Sequence, residues 1–247
     1  MAFPETRLSL IRRIVANGDA ASWEQFVANY WRATSRFAMR FGNLQWSDAE
    51  DVSSQVFEIL YRKSLLESWL SRPDARFKTL LCTVVRNVVR NTVRSQRTVA
   101  RHATEQIQQA KDLGDPATRQ DLDLFYTIWA DELLRTAVQS LMGDYHREGK
   151  GDYFRVLHGR IGERLSFNDI ADQLELKPTD VENYFRHARK RLAERIEFLV
   201  RKDTSYYTDL SDLDAEFQHE WQKLADILQS QGGLEDAVRN AMIRHEM

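Results

Sequence analysis

One stretch of the sequence, residues 76–101, constrains the fold more than any other. It reads RFKTLLCTVVRNVVRNTVRSQRTVAR and contains no acidic residue. Its later arginines recur every three or four residues, which places them in one row along a helix. The row consists of Arg86, Arg90, Arg94, Arg97 and Arg101. Because leucines and valines fill the positions between them, the stretch predicts a helix with one apolar face and one basic face.

The basic face is the first candidate site. A solvated helix face usually mixes charges of both signs, so that residues four apart can pair, whereas this face is only basic. Asn87 and Asn91 each add an amide beside an arginine. Arginine and amide side chains are the types that contact phosphates and base edges. Nucleic acid is therefore the predicted class of ligand, with a solvated face as the alternative.

The composition predicts an all-α protein. Aromatic residues are plentiful, proline and glycine are scarce, and few alternating runs of the strand type occur. A formal net charge of −2 argues against a protein that coats nucleic acid by bulk charge. The negative charge gathers in residues 203–247, which carry ten acidic side chains against three basic ones.

Neither an enzyme nor a cofactor is expected. Cys82 is the single cysteine, which excludes an intramolecular disulfide and a thiolate metal cluster. The six histidines are scattered and no catalytic constellation stands out, so no metal site is predicted. The start has no signal pattern and no apolar run is long enough to cross a bilayer. We therefore expect a cytoplasmic protein without membrane insertion.

Periodicity predicts three helices before the basic one. A short helix runs from Thr6 to Ala16, and an aromatic-rich helix runs from a Ser22 cap to Gly42. The third has Ser47 as its cap and acidic residues in its first turn, and it continues to about Lys63.

The C-terminal half predicts a second helical region. Residues 98–120 are rich in Gln, Ala and Thr and predict a linker. A helix follows from about Asp121 to Met142, and Gly143 and the stretch from His146 to Asp152 are expected to break it. Residues 166–200 then show a short helix capped by Ser166, a turn at residues 177–179 and a second helix. This is the layout of a helix-turn-helix, in which the second helix enters the major groove of DNA.

The acidic helix and the basic helix together resemble domain two of bacterial sigma factors, in the extracytoplasmic-function (ECF) group. The motif is DAEDVSSQVFEILYRK, then a short loop, then the basic stretch. The resemblance implies that the acidic helix docks on the clamp of the largest RNA polymerase subunit. The residues implied are Asp48, Glu50, Asp51, Gln55, Val56, Phe57 and Leu60. The run Ser53-Ser54-Gln55 departs from the family, where an apolar residue, Gln and an acid are commoner.

The same resemblance implies that the loop and basic helix melt and read the minus-ten promoter element. The residues implied are Arg76, Lys78, Arg86, Asn87, Arg90, Asn91, Arg94 and Arg97.

The chain from Leu124 onward resembles sigma domain four, which binds the minus-thirty-five element and the flap of the second-largest polymerase subunit. The residues predicted to contact DNA are Thr179, Glu182, Asn183, Arg186, His187, Arg189 and Lys190. Glu182-Asn183-Tyr184 replaces the family's commoner basic residue, Ser and Arg. Glutamate can accept a hydrogen bond from cytosine and asparagine can pair with adenine, although the sequence does not fix the register.

The resemblance covers most of residues 6–200 and predicts two helical domains on a flexible linker. Domain two spans 1–97, the linker 98–120, and domain four, with its helix-turn-helix, 121–202. An acidic helical extension occupies 203–247. The implied function is a sigma factor that binds core RNA polymerase and directs initiation at specific promoters. Its partners would be core RNA polymerase and promoter DNA, and an anti-sigma factor is a further partner that the resemblance allows.

Two other functions stay open at this point. One is a helix-turn-helix regulator that binds duplex DNA without polymerase, and the other is a helical interaction protein with no DNA role. The extension also has two interpretations. It is either a structural cap on domain four or an acidic segment that shields the basic recognition helix.

Overall fold

The computed structural model describes residues 9–62, 65–72, 75–97, 116–209 and 211–243. The side chains of residues 95–97 are not among the described parts. Over these residues the fold is all-α, as predicted, and contains eleven helices. They are α1 (Leu10–Asn17), α2 (Ala20–Gly42), α3 (Trp46–Arg62), α4 (Leu65–Leu70), α5 (Phe77–Arg97), α6 (Arg119–Arg147), α7 (Gly151–Ile161), α8 (Phe167–Leu174), α9 (Pro178–Thr204), α10 (Leu213–Ser230) and α11 (Leu234–Ile243). Most of the predicted linker, residues 98–115, lies outside the described part.

Two compact units share the chain. The first comprises residues 1–128 and 205–210, and the second comprises residues 129–204 and 211–247. The division falls inside α6, and each unit takes a piece of the C-terminal segment. The predicted domain limits at residues 97, 120 and 202 therefore do not coincide with this division and stay predictions.

In the first unit, α5 packs against α2 and α3 through an aromatic core. The Phe26 ring lies 6.0 Å from that of Phe57 and 5.7 Å from that of Phe77. The α5 residues that face this core are Leu81, Val84, Val85, Val88 and Val89, all buried. Burial of these side chains fixes which face of α5 is left for solvent or ligand.

A short strap, residues 205–209, completes the first unit. Tyr206 and Tyr207 are buried in its core, and the Ile11 amide donates to the Tyr206 carbonyl at 3.0 Å. The Asp209 carboxylate accepts from the Ser9 amide at 3.3 Å and pairs with Arg12 at 2.6 Å. A segment that follows α9 in sequence is therefore part of the N-terminal core.

In the second unit, α8 and α9 enclose a small apolar cluster. Val156, Ile170, Ala171 and Val181 form its buried centre, with Phe185 at the edge. The predicted Ser166 cap is confirmed as a capping box, since Ser166 and Asp169 each bond the other's backbone amide.

The connection between α8 and α9 differs slightly from the prediction. Glu175 ends α8 in the left-handed conformation, and Pro178 already lies in α9. The turn is thus residues 175–177, because proline fits the first position of a helix.

Several predicted helix limits are wrong. Asp19, not Ser22, caps α2, since its carboxylate accepts from the Ala21 amide at 3.2 Å and also holds the Ser22 hydroxyl. Helix α3 starts at Trp46, so Ser47 lies within it. Gly143 does not end α6, which continues to Arg147. A glycine costs a helix only about 1 kcal/mol relative to alanine, and burial of Tyr145 beyond it outweighs that cost.

The acidic extension forms two helices, α10 and α11, as its apolar spacing predicted. Gly232 and Gly233 join them with φ values of 94° and 100°, a left-handed region that favours glycine. Among the described residues, no helix combines the length and apolar character that a membrane crossing needs.

Candidate nucleic-acid interface

Burial divides the predicted minus-ten residues into two groups. Arg76, Arg90, Asn91 and Arg94 are exposed, and Asn87 is half-buried. Arg90 also lies over the ring of Phe41, with 6.0 Å between its guanidinium carbon and the ring centroid. The predicted residues that α5 exposes are therefore Arg90, Asn91 and Arg94, while the Arg97 side chain lies outside the described part.

Arg86 does not occupy the exposed face that the prediction gave it. It is 1% exposed, and its guanidinium donates to the Pro116 carbonyl at 2.8 Å and to the Asp121 carboxylate at 3.0 Å. Burial by itself raises the pKa of Asp121, but hydrogen bonds from Thr118 and Arg86 outweigh it and lower that pKa below its ordinary value. Asp121 thus stays ionised as the partner of Arg86, which ties α5 to the start of α6.

Lys78 is likewise a core residue rather than a surface contact. It is 1% exposed, and its ammonium donates to the Tyr207 hydroxyl at 3.3 Å. The neighbouring Phe77 ring stacks on that of Tyr207 at 5.2 Å. The strap therefore covers the first turn of α5. These partners lie 35 residues from Arg86 and 129 residues from Lys78, so the periodicity of the basic stretch carried no sign of them.

The predicted polymerase-binding residues of α3 also separate by burial. Asp51 and Gln55 are exposed, while Asp48 and Glu50 are half-buried. Val56, Phe57 and Leu60 are buried, and Trp31 stacks on Phe57 at 5.8 Å. The last three therefore hold α3 in place and do not form a docking surface. Among the predicted residues, those that α3 exposes are Asp51 and Gln55, one acidic and one polar.

Helix α9 exposes every one of its predicted DNA contacts. They are Thr179, Glu182, Asn183, Arg186, His187, Arg189 and Lys190. The opposite side of the helix is buried through Val181, Ala188 and Leu192. Arg186 donates to the Asn183 amide oxygen at 3.4 Å, which sets a cation beside a hydrogen-bonding amide on the exposed face. We call these seven residues the α9 face.

An aromatic network that was not predicted from the sequence packs against α9 and holds the α9 face in place. Tyr184 stacks on Tyr153 with ring centroids 4.1 Å apart, and His187 meets the same ring edge-on at 5.0 Å. Arg191 lies 4.9 Å from the Tyr145 ring centroid and pairs with Glu148 at 2.9 Å. The network fixes the rotation of α9 about its axis. Its only sequence signal is the cluster of tyrosines after Gly143.

Charge–charge contacts strengthen this support. Burial alone lowers the pKa of Arg191, but the hydrogen bond and charge of Glu148 raise it overall. Hydrogen bonds from Lys150 and Arg191 lower the pKa of Glu148. Arg195 pairs with Asp144 on the same side. Both arginines are therefore committed to holding α9 against α6 and are not part of the exposed face.

A groove runs between α9 and the first turn of α11. Its walls carry Phe167, Glu182, Phe185, Arg186, Arg189, Lys190, Ala193 and Leu234. Arg189 pairs with Glu235 at 3.5 Å, and Arg164 pairs with Asp236 at 3.2 Å. The acidic extension therefore reaches the edge of the α9 face.

The described residues include no cluster of three or more His, Cys, Asp or Glu side chains that could hold a metal ion. Cys82 is buried in the first unit, and burial with the nearby Asp121 charge raises the pKa of its thiol to about 12. A thiol of that pKa is largely protonated at neutral pH and is a poor nucleophile. The arginine, lysine and asparagine side chains exposed on α5 and α9 can form ion pairs and hydrogen bonds.

Comparison with other proteins adds no family to this description. The sequence matches no model of a known protein family. A search of curated proteins likewise finds no significant match.

Proposed function

We propose that this chain is an ECF-type sigma factor. In this role it binds core RNA polymerase and directs initiation at specific promoters by recognising and melting their DNA. The observation that carries the proposal is the α9 face, where cations and hydrogen-bonding side chains lie together on the exposed side of a helix that follows a capped helix and a three-residue turn.

The α9 face reads duplex DNA at the minus-thirty-five element. Arg186, Arg189 and Lys190 neutralise backbone phosphates, a contact that supplies affinity and register without sequence information. Asn183 and Glu182 supply sequence choice, because an amide pairs with adenine and a carboxylate accepts from cytosine. The aromatic network behind α9 keeps these side chains in a fixed orientation.

The first unit holds the melted strand at the minus-ten element. Arg90 and Arg94 contact its phosphates, and Asn91 lies between them for an unstacked base. Arg86 acts as a positioning residue here, because it is buried and its ion pair with Asp121 fixes α5. Lys78 is covered by the strap and takes no part in contacts to DNA in this arrangement.

Helix α3 supplies the contact with polymerase. Asp51 and Gln55 present a polar, acidic surface that suits a basic partner, and the buried Phe57 keeps the helix in register. Both units belong to one chain, so each can bind its own target weakly while the pair binds tightly through effective concentration.

Binding to core RNA polymerase tests this assignment. Asp51→Lys should weaken the complex at least tenfold, because it sets a like charge against the basic partner. Glu24→Lys is the matched control, since it makes the same charge change at an exposed position of α2. Equal affinity of the wild type and both variants would contradict docking through α3. No complex with the wild type would contradict the sigma function itself.

A helix-turn-helix regulator that acts without polymerase is the second candidate. The observation that favours it is that all seven residues of the α9 face are exposed, while Phe77 and Lys78 in the first turn of α5 are buried. Such a regulator would bind duplex DNA alone, usually as a dimer on symmetric half-sites. Symmetric half-site binding together with no polymerase complex would select it.

A further inference from the structure

We propose that the first turn of α11 is an intramolecular shield that lowers the attraction of the α9 face for non-specific DNA. Glu235 pairs with Arg189 at the edge of that face, and Leu234 forms part of the groove wall. Asp236 follows Glu235 and pairs with Arg164. Because α9 meets DNA only under the proposed function, the shield depends on that function and describes its regulation.

The first argument is a shared partner. The Glu235 carboxylate lies 3.5 Å from Nε of Arg189, which is one of the cations predicted to contact phosphate. A carboxylate and a phosphate oxygen compete for the same guanidinium donors. A phosphate can take this site only if the carboxylate moves away or shares the cation.

The second argument is how α11 is held. Ala237, Val238 and Ala241 are buried and anchor the helix in the second unit. This anchor fixes the acidic first turn beside α9, while Asp236 also pairs with Arg164 and Arg239. The acidic turn is therefore held at the groove and does not depend on the Arg189 contact for its position.

The third argument is the strength of the contact. Both Arg189 and Glu235 are about half exposed, so water and salt screen their attraction. A contact this weak cannot block DNA outright. It reduces the affinity for any duplex, and a promoter that makes additional base contacts overcomes it. The shield thus lowers the affinity for specific and non-specific duplexes by the same factor, so the promoter keeps its advantage while binding to non-specific DNA becomes weaker.

The acids have a purely structural explanation as well. Carboxylates in the first turn of a helix stabilise it through the helix dipole. If that were their whole role, neutralising Glu235 would lower the stability of the second unit without raising its affinity for DNA. Deleting the extension cannot separate the two roles, because α10 and the strap supply buried core residues.

Charge substitution in the full chain separates the shielding role of Glu235 from its role in helix stability. The affinity for a mixed-sequence DNA duplex is measured over a range of salt concentrations, without polymerase. Glu235→Gln should raise the affinity by up to about fivefold, the limit for one exposed ion pair. Glu235→Lys should raise it about tenfold and steepen the salt dependence by about one released ion. Unfolding by denaturant is recorded for each variant.

The matched control is Asp226→Lys. It makes the same charge change within the extension, at an exposed residue whose carboxylate accepts from Gln222 at 2.8 Å. A gain for Glu235→Lys that clearly exceeds the gain for Asp226→Lys supports the shield. Equal gains would show a bulk-charge effect and overturn it, as would no gain in either variant.

The variant Arg186→Ala distinguishes a failure of the shield from a failure of the proposed function. It removes a cation of the α9 face that has no contact with α11 acids among the described ion pairs. If Arg186→Ala weakens binding and Glu235→Lys does not strengthen it, the shield is wrong and the α9 face stands. If Arg186→Ala leaves binding unchanged, α9 is not the DNA surface and both are overturned.

Discussion

The guanidinium of Arg86 donates to the carboxylate of Asp121 at 3.0 Å, and both side chains are buried. A basic residue from the centre of the arginine row is thus turned inward to tie α5 to α6. Removal of either partner leaves the other as an uncompensated buried charge. Such a loss typically costs about 3–5 kcal/mol.

We therefore expect Arg86→Ala to lower the free energy of unfolding by about 3–5 kcal/mol. Denaturant unfolding measures this change. Arg90→Ala is the matched control on the exposed side of the same helix, and its effect should stay within about 0.5 kcal/mol. A comparable small effect for both substitutions would mean that Arg86 is not held in the interior. For the same reason, Arg86→Ala is a poor probe of DNA contact.

Acid should weaken the first unit through Asp121. Its pKa in the folded protein lies below the unfolded value of about 3.9. A depressed pKa contributes stability that is fully present above the unfolded pKa and is lost as pH falls through the folded pKa. Asp121→Asn removes this contribution, so the stability difference between wild type and variant should shrink below about pH 4. A difference that is constant across the acid range would contradict this.

The strap should contribute strongly to the stability of the first unit. Tyr207→Ala removes a buried ring that stacks on Phe77, at an expected cost of about 3–5 kcal/mol. Tyr207→Phe removes only the hydroxyl that accepts from the charged Lys78, at about 1.5–3 kcal/mol. Phe198→Ala, at an exposed ring of α9, is the control and should be nearly neutral. Equal effects of Tyr207→Ala and Phe198→Ala would show that the strap is dispensable.

The exposed part of the arginine row should act in promoter melting. Arg90→Ala with Arg94→Ala should reduce open-complex formation, while binding to core polymerase stays close to that of the wild type. Asp51→Ala with Gln55→Ala should do the reverse. Reactivity of unpaired thymines measures melting, and a binding titration measures the polymerase complex. If both pairs lowered both quantities equally, this division between α5 and α3 would be wrong.

Local features of the sequence predicted much of this fold. The Ser166 cap, the short α8 and the two helices of the extension follow from cap residues and apolar spacing, which act within a few residues. The all-α class follows from composition. Helix limits were harder, because Gly143 is tolerated once Tyr145 is buried. Burial depends on tertiary contacts that local spacing does not reveal.

The candidate site shows the same limit more sharply. Periodicity places Arg86 and Arg90 in one row, yet one is buried and the other exposed. Arg86 is buried because it bonds Pro116 and Asp121, and Lys78 is buried beneath the strap residue Tyr207, 129 residues away. On α9 the distant residue Glu235 pairs with Arg189 without burying it, and all seven predicted residues are exposed. Spacing thus identified a helix face, and long-range packing decided which of its residues can reach a ligand.

Run-off transcription tests the central claim most directly. Core RNA polymerase is supplied with a library of promoter fragments, with and without this protein, and the transcript ends are mapped. The sigma function predicts starts that occur only with the protein, at fixed distances from two shared sequence elements. Arg186→Ala should reduce these starts, and Asp226→Lys should not. Identical transcripts with and without the protein, from an enzyme that is active with another sigma factor, would contradict the account.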